Sequence, residues 1–151
     1  MITALNHVSI TTADLDRSLS FYHDLLRLPL IGRGETDADH LRLITGFPEV
    51  RLRWAELTLG RGQILELFEY VVPTGERLTQ RTCDPGSVHI AFATDDLGSA
   101  YARLQAAGTP TRSSPVTISS GDWAGAASLY AVDPDGVTIE LVQLPAPRNP
   151  T

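Results

Sequence analysis

The sequence contains no lysine, a single cysteine and no long apolar run. All twelve basic residues are arginine, which excludes Schiff-base catalysis, pyridoxal phosphate attachment and a P-loop lysine. Cys83 alone cannot form an intrachain disulfide, and no run approaches the roughly 18 apolar residues of a membrane-spanning helix. The first ten residues lack the basic and apolar regions of a signal peptide, so we expect a cytoplasmic protein.

Positive charge is also scarce. Eighteen acidic residues against twelve basic ones give a net charge of -6 and a pI near 5.1. This balance offers no basic surface for a nucleic-acid backbone or an anionic membrane, and we expect neither as a partner. A length of 151 residues with 42% apolar residues is typical of one globular domain.

The chain contains an internal repeat. Residues 6–15 and 88–97 align at an offset of 82, so that His7 matches His89 and Asp14 matches Asp96. Each copy alternates like a strand, stops at aspartates suited to cap a helix, and continues with helical spacing of its apolar residues. Alternating segments at residues 52–59, 64–70, 127–132 and 137–143 predict further strands, so that both halves have the order βαβββ.

We therefore predict an α+β fold in which two tandem βαβββ modules form an eight-stranded, incompletely closed curved sheet with helices on its convex side. A single domain spans residues 1–151. Module 1 covers about residues 3–70 and module 2 about 87–143, joined by a Pro- and Gly-containing linker at 71–86 and followed by a loose tail at 144–151.

Each module carries one histidine on its first strand and one glutamate on its last, facing away from the apolar side. If the modules pack about a pseudo-twofold axis, these four side chains converge on the concave side of the sheet. Two imidazoles and two carboxylates suit one divalent ion, either Mg, Mn, Fe, Co, Ni or Zn, with positions left for water and substrate. The predicted ligands are His7, Glu66, His89 and Glu140.

Several segments resemble the vicinal oxygen chelate superfamily, which includes glyoxalase I, methylmalonyl-CoA epimerase, extradiol dioxygenases, fosfomycin-modifying enzymes and bleomycin-binding proteins. The resemblance covers residues 3–143, and its most specific parts are the strand at His89 and the sequence from Asp133 to Glu140. It implies the paired βαβββ fold and places the same four residues at the metal positions. For so short a chain it also implies a homodimer, with the site within one chain or across two.

The presence of Glu66 as a fourth ligand favours the isomerase, epimerase and lyase branch, with a pattern similar to methylmalonyl-CoA epimerase-like and glyoxalase I-like members. The expected reaction moves a proton at a carbon next to a metal-bound carbonyl of a small molecule with vicinal or chelating oxygens. Glu140 is the first choice of base, and either Glu66 or Glu56 serves the opposite face.

Further residues are predicted to contact the substrate: Arg53, Glu56, Phe68, Tyr70 and Trp123. Arg51, Arg77 and Arg81 offer the same chemistry as Arg53, and core packing is the alternative for the aromatic residues. Two other functions stay open. An Fe(II) extradiol-type dioxygenase is disfavoured by the fourth ligand, and a metal-free drug- or metabolite-binding resistance protein is disfavoured by the complete ligand set.

Overall fold

A computed structural model describes residues 1–145, and the remainder of the predicted tail, 146–151, lies outside the described residues. The chain forms two compact units, Met1–Leu78 and a second that begins at Thr79. Within the described residues, no helix is both long and apolar enough to cross a membrane.

The first unit has a four-stranded sheet with the strand order β1-β4-β3-β2. β1 is parallel to β4, and the other neighbours are antiparallel. Its elements are β1 (His7–Thr11), α1 (Leu15–Leu19) continued by a π-helical segment (Ser20–Leu25), β2 (Leu30–Thr36), α2 (Asp39–Thr45), β3 (Arg51–Gly60) and β4 (Gln63–Val72).

The second unit repeats this arrangement with the order β5-β8-β7-β6, and β5 is parallel to β8. Its elements are β5 (His89–Ala93), α3 (Leu97–Ala106), β6 (Val116–Thr117), β7 (Ala127–Val132) and β8 (Thr138–Gln143). The predicted α+β class with two βαβββ modules is confirmed, and its eight strands form two four-stranded sheets. The additional helix α2 buries none of its residues and so has no amphipathic pattern that would predict it.

Each sheet buries one face under its helix. In the first unit the buried strand residues include Ile10, Leu57, Leu65 and Leu67. In the second unit Leu97, Ala100 and Leu104 of α3 are buried, as are Leu129, Ile139 and Leu141 of the sheet. Because side chains alternate along a strand, the residues between these leucines and isoleucines project from the opposite face. We call this second surface of each sheet its open face.

The helices α1 and α3 begin in the same way. Asp14 accepts a hydrogen bond from the backbone N–H of Arg17, and Asp96 accepts one from that of Ser99, which satisfies amides that lack a helical partner. These are the aspartates that the sequence predicts as caps. The first amide of each helix also donates to a side chain at the end of the unit's last strand: Leu15 N to Glu69 Oε2 and Leu97 N to Gln143 Oε1, both at 2.9 Å.

Arg53 belongs to an ion-pair network on the helix-covered side of the first sheet. Its guanidinium donates to Glu69 Oε2 at 2.7 Å and to Asp16 Oδ2 at 2.8 Å, while Arg33 donates to Asp16 Oδ1 at 2.9 Å. Arg53 therefore does not share the face of Glu66, and its predicted contact with a substrate carboxylate stays a prediction. Arg53 has the strand parity of Glu69, opposite to Glu66, and its donors are engaged by two carboxylates.

We expect Asp16→Asn to lower the melting temperature at pH 7. Hydrogen bonds from two arginines hold the pKa of Asp16 below its ordinary value, and the bond from Arg53 has a larger effect than the bond from Arg33. Its ion pairs therefore stabilise the fold above the unfolded-state pKa of about 3.9, and this contribution disappears as the pH falls through the lower folded-state pKa. Thermal melts followed by circular dichroism from neutral to strongly acidic pH measure the difference from wild type, which should close in acid.

The matched control for this measurement is Asp122→Asn, because Asp122 is exposed and forms no ion pair within the described part of the chain. We expect it to melt like the wild type at neutral pH. A difference between Asp16→Asn and wild type that stays constant down to strong acid would contradict the role given to the ion pairs.

Candidate functional site

The first unit brings His7 and Glu66 together on its open face. β1 runs parallel to β4 with Ser9 in register with Glu66, so both side chains project from the same side. His7 Nε2 lies 3.3 Å from Glu66 Oε2, and Ser9 Oγ donates to the same carboxylate oxygen at 2.6 Å. His7 Nδ1–H donates to Asn6 Oδ1 at 2.8 Å.

The second unit forms an equivalent pair. His89 Nε2 lies 3.2 Å from Glu140 Oε2, and Ser128 Oγ donates to Glu140 Oε1 at 2.6 Å. The imidazole of His89 also packs against the ring of Tyr130, with centroids 5.3 Å apart. In both pairs the histidine side chain is nearly half exposed, while less than a fifth of the carboxylate side chain is exposed.

The donor atoms of each pair lie at a separation that two ligands of one divalent ion can adopt. Two donors about 2.1 Å from one ion, at tetrahedral or octahedral angles, are about 3.0–3.4 Å apart, and the observed separations of 3.2 and 3.3 Å fall in this range. The bond from His7 to Asn6 supplies the outer hydrogen bond that orients a ligand histidine. Among the side chains of residues 1–145, no group of three or more His, Cys, Asp and Glu is arranged to hold an ion.

A second carboxylate lies beside Glu66. Glu56 on β3 is in direct register with Glu66 on β4, on the same open face. Like charges placed directly opposite in a sheet are destabilising, so stability alone does not explain this pairing. Glu66 is held by Ser9 and His7, whereas Glu56 forms no hydrogen bond or ion pair within the described residues.

Aromatic side chains continue this surface. Phe68 is in register with Trp54 on the open face, and both are half-buried. Tyr70 follows with the same strand parity and makes an edge contact with Phe47, with ring centroids 6.2 Å apart. The structure thus places Phe68 next to the carboxylates and Tyr70 further along the strand.

The open face of the second unit contains a cavity of about 310 Å³ beside Glu140. Arg112 enters it because the segment before β6 joins the edge of β7: Thr111 pairs with Ala131, and Arg112 N–H donates to the carbonyl of Tyr130 at 2.8 Å. No carboxylate within the described chain forms an ion pair with Arg112. The lining residues are Arg112, Ser113, Val116, Ile118, Ser128, Leu129, Tyr130 and Glu140.

Two predicted substrate contacts are thus absent from these surfaces. Arg53 faces the helix side, and Trp123 stands in a turn with 58% of its surface exposed, outside the cavity lining. Sequence reasoning named Trp54 only as one of several aromatic residues that line a pocket or pack in the core, and it missed Arg112, Ser128 and Tyr130. For Ser128 and Tyr130 the signal was available, since both share strand parity across β7 with Glu140. No such signal was available for Arg112, because it lies in an irregular segment where strand parity does not apply.

A family model and two relatives of known name match most of the chain. The model of a family described as "Glyoxalase/Bleomycin resistance protein/Dioxygenase superfamily" matches residues 4–141. A 2-epi-5-epi-valiolone epimerase from an Actinomyces species is 34% identical over 147 residues, which cover 95% of this chain and 80% of the epimerase. The glutathione transferase FosA of Serratia marcescens is 32% identical over 143 residues, covering 93% of this chain and 81% of FosA.

The fold has a similar counterpart among solved structures. The crystal structure of a glyoxalase family protein from Bacillus cereus superposes with a TM-score of 0.84 and covers 97% of both chains. Its sequence is 19% identical, so this likeness shows the fold. Both curated relatives described above are enzymes by name.

Proposed function

Because this chain belongs to the glyoxalase/bleomycin resistance protein/dioxygenase superfamily, we propose that it is a divalent-metal-dependent epimerase, or a related isomerase or lyase. The observation that carries the proposal is the repeated His–Glu pair, with donor atoms 3.2 and 3.3 Å apart. His7, Glu66, His89 and Glu140 are the proposed ligands.

We propose a cyclic, polyhydroxylated ketone as the class of substrate. The epimerase relative is named for such a compound and is 34% identical over nearly the whole of this chain. The open face of the first unit supports this class, since it combines two carboxylates, which accept hydrogen bonds from hydroxyl groups, with the aromatic rings of Trp54 and Phe68.

Two carboxylates would move the proton. When bound, a divalent ion supplies a Lewis acid that stabilises negative charge on a carbonyl oxygen. Glu140 takes the proton from the carbon next to the carbonyl, and Glu56 returns a proton from the opposite face of the substrate. We propose Glu56 rather than Glu66 for this role, because Glu56 lies directly opposite Glu66 on the same open face and is not itself a proposed metal ligand. Ser128 holds Glu140 through its Oε1 atom.

We expect untagged wild-type protein to contain about one equivalent of divalent metal per chain. His7→Ala and His89→Ala should each lose most of it, because each removes a proposed ligand, and Glu66→Ala should weaken retention. Elemental mass spectrometry measures metal content, and native mass spectrometry adds the stoichiometry and tests the expected homodimer. His40→Ala, which removes an exposed histidine of α2, is the matched control.

Two equivalents in the wild type, with half lost in each histidine variant, would show that the pairs bind separate ions. Absence of metal after reconstitution would overturn the proposed enzyme and favour a metal-free binding protein. Full metal content in Glu66→Ala would instead favour the dioxygenase alternative with three ligands.

We expect Glu56→Gln to lose most of its epimerase activity but to continue exchanging a substrate proton for deuterium from the solvent. A two-base epimerase that lacks one base can still remove and return the proton on the face of the other base. The substrate then exchanges this proton for deuterium while the configuration of the carbon stays the same. The rate of epimerisation should fall by about 10²- to 10⁴-fold. Proton NMR of 2-epi-5-epi-valiolone in D₂O follows both events, and Glu49→Gln, an exposed carboxylate away from these strands, is the control. Full epimerase activity in Glu56→Gln would exclude it as the second base.

The cavity of the second unit favours a second candidate function, modification of a phosphonate such as fosfomycin. Arg112 and Ser113 provide donors for an oxyanion, and FosA is 32% identical to this chain. Phosphorus NMR of fosfomycin with the metal-loaded protein, in the presence and absence of glutathione, distinguishes the candidates. Consumption of fosfomycin that depends on Arg112, with no exchange into the ketone, would establish the second function in place of the first.

A further inference from the structure

The indole of Trp54 lies flat across the backbone of β2. A Cβ atom on Gly34 would come within 3.0–3.1 Å of Cζ2, Cε2 and Nε1 of the indole, and one on Gly32 within 3.3 Å of Cζ3. Neither glycine adopts a left-handed backbone conformation, so glycine is required here for space alone. The two glycines therefore admit a broad aromatic surface onto the open face.

The carboxylate of Glu56 lies at the edge of this surface. Glu56 Oε2 is 3.8 Å from the Cβ position of Gly32, the same position that lies 3.3 Å from Cζ3 of Trp54. The edge of the six-membered ring and the carboxylate thus meet above one glycine. On the other side of Trp54 lies Phe68, its partner in register on β4.

A flat apolar surface with a carboxylate at its edge matches a particular kind of ligand. The ring of a cyclic polyol has faces formed by C–H groups and an edge that carries hydroxyl donors. The negative charges of Glu56 and Glu66 disfavour an anionic ring on the same surface. An aryl group without hydroxyls would stack on the indole but leave the carboxylate without a donor.

We propose that Trp54, supported by Gly32 and Gly34, is the platform on which the ring of a cyclic polyol substrate stacks, with the ring edge directed at Glu56. This inference rests on the proposed function and deepens it, because it names the residue that selects a ring. Trp54 positions the substrate, and its flat indole excludes acyclic polyols that cannot present a C–H face.

The chain offers a direct reporter of this contact. It contains two tryptophans, Trp54 and Trp123, so Trp123→Phe leaves Trp54 as the sole tryptophan fluorophore. In this background we expect saturable changes in fluorescence with 2-epi-5-epi-valiolone and with myo-inositol. Sorbitol, an acyclic polyol with the same number of carbons and hydroxyls as myo-inositol, should cause none at equal concentration.

Gly34→Ala is the decisive variant, since its Cβ would lie 3.0–3.1 Å from three atoms of the indole and must shift the ring, and we expect binding to weaken severalfold. Gly75→Ala is its matched control, because Gly75 has no positive φ and a Cβ there meets nothing within 4 Å. Far-UV circular dichroism and thermal melts verify that both variants fold. If Gly34→Ala does not fold, calorimetry on Trp54→Leu provides the same test, with Trp54→Phe expected to retain part of the affinity.

Equal responses to myo-inositol and sorbitol, no response to either cyclic compound, or unchanged binding by Gly34→Ala would each overturn the proposal. A response to catechol but not to the cyclic polyols would replace it with an aryl-binding platform and favour the dioxygenase alternative. The readout is binding alone, so stacking without deuterium exchange would refute the proposed reaction while leaving the platform standing.

Discussion

The parallel pairing of the first and last strands in each unit is the contact on which the rest of the site depends. It brings together residues that are 57 positions apart in the first unit and 49 in the second, and its register sets Ser9 beside Glu66 and Ala91 beside Glu140. Because the last strand lies inside the sheet rather than at its edge, each glutamate has neighbours on two sides. One side supplies the histidine, and the other supplies Glu56 in the first unit and Tyr130 in the second.

Much of this could be predicted because it follows from local patterns that occur twice. The match between His7 and His89, the capping aspartates and the strict alternation around Glu66 and Glu140 fix strand identity and side-chain direction. Alternation also separates Glu66 from Glu69, which faces the helix side and binds Leu15 N and Arg53.

Other features depend on contacts that a single sequence does not encode locally. The helix α2 has no buried side, so neither its existence nor its bounds follow from periodicity. Arg53 has the composition expected of a substrate-binding arginine, and only the packing of α1 on the sheet shows that Asp16 reaches it. Arg112 enters the cavity through an irregular segment that pairs with β7, which is a tertiary contact.

The duplicated backbone carries two different surfaces. Trp54 and Ser128 occupy equivalent positions, since each lies opposite the residue two places after the unit's central glutamate. In the first unit this position supports an aromatic ring, and in the second it supports a hydroxyl that holds Glu140. The arrangement that repeats is therefore the His–Glu pair, while the strands beside it have diverged.

The fit between Trp54 and the bare backbone of β2 links three positions on two strands. A side chain at either glycine would crowd the indole at position 54. A change at one of the three positions alone therefore passes through a crowded or hollow intermediate. Across descendants of this chain, the tryptophan and the two glycines should be inherited or lost together. This would make the three residues a historical marker of the lineage that acquired the aromatic surface.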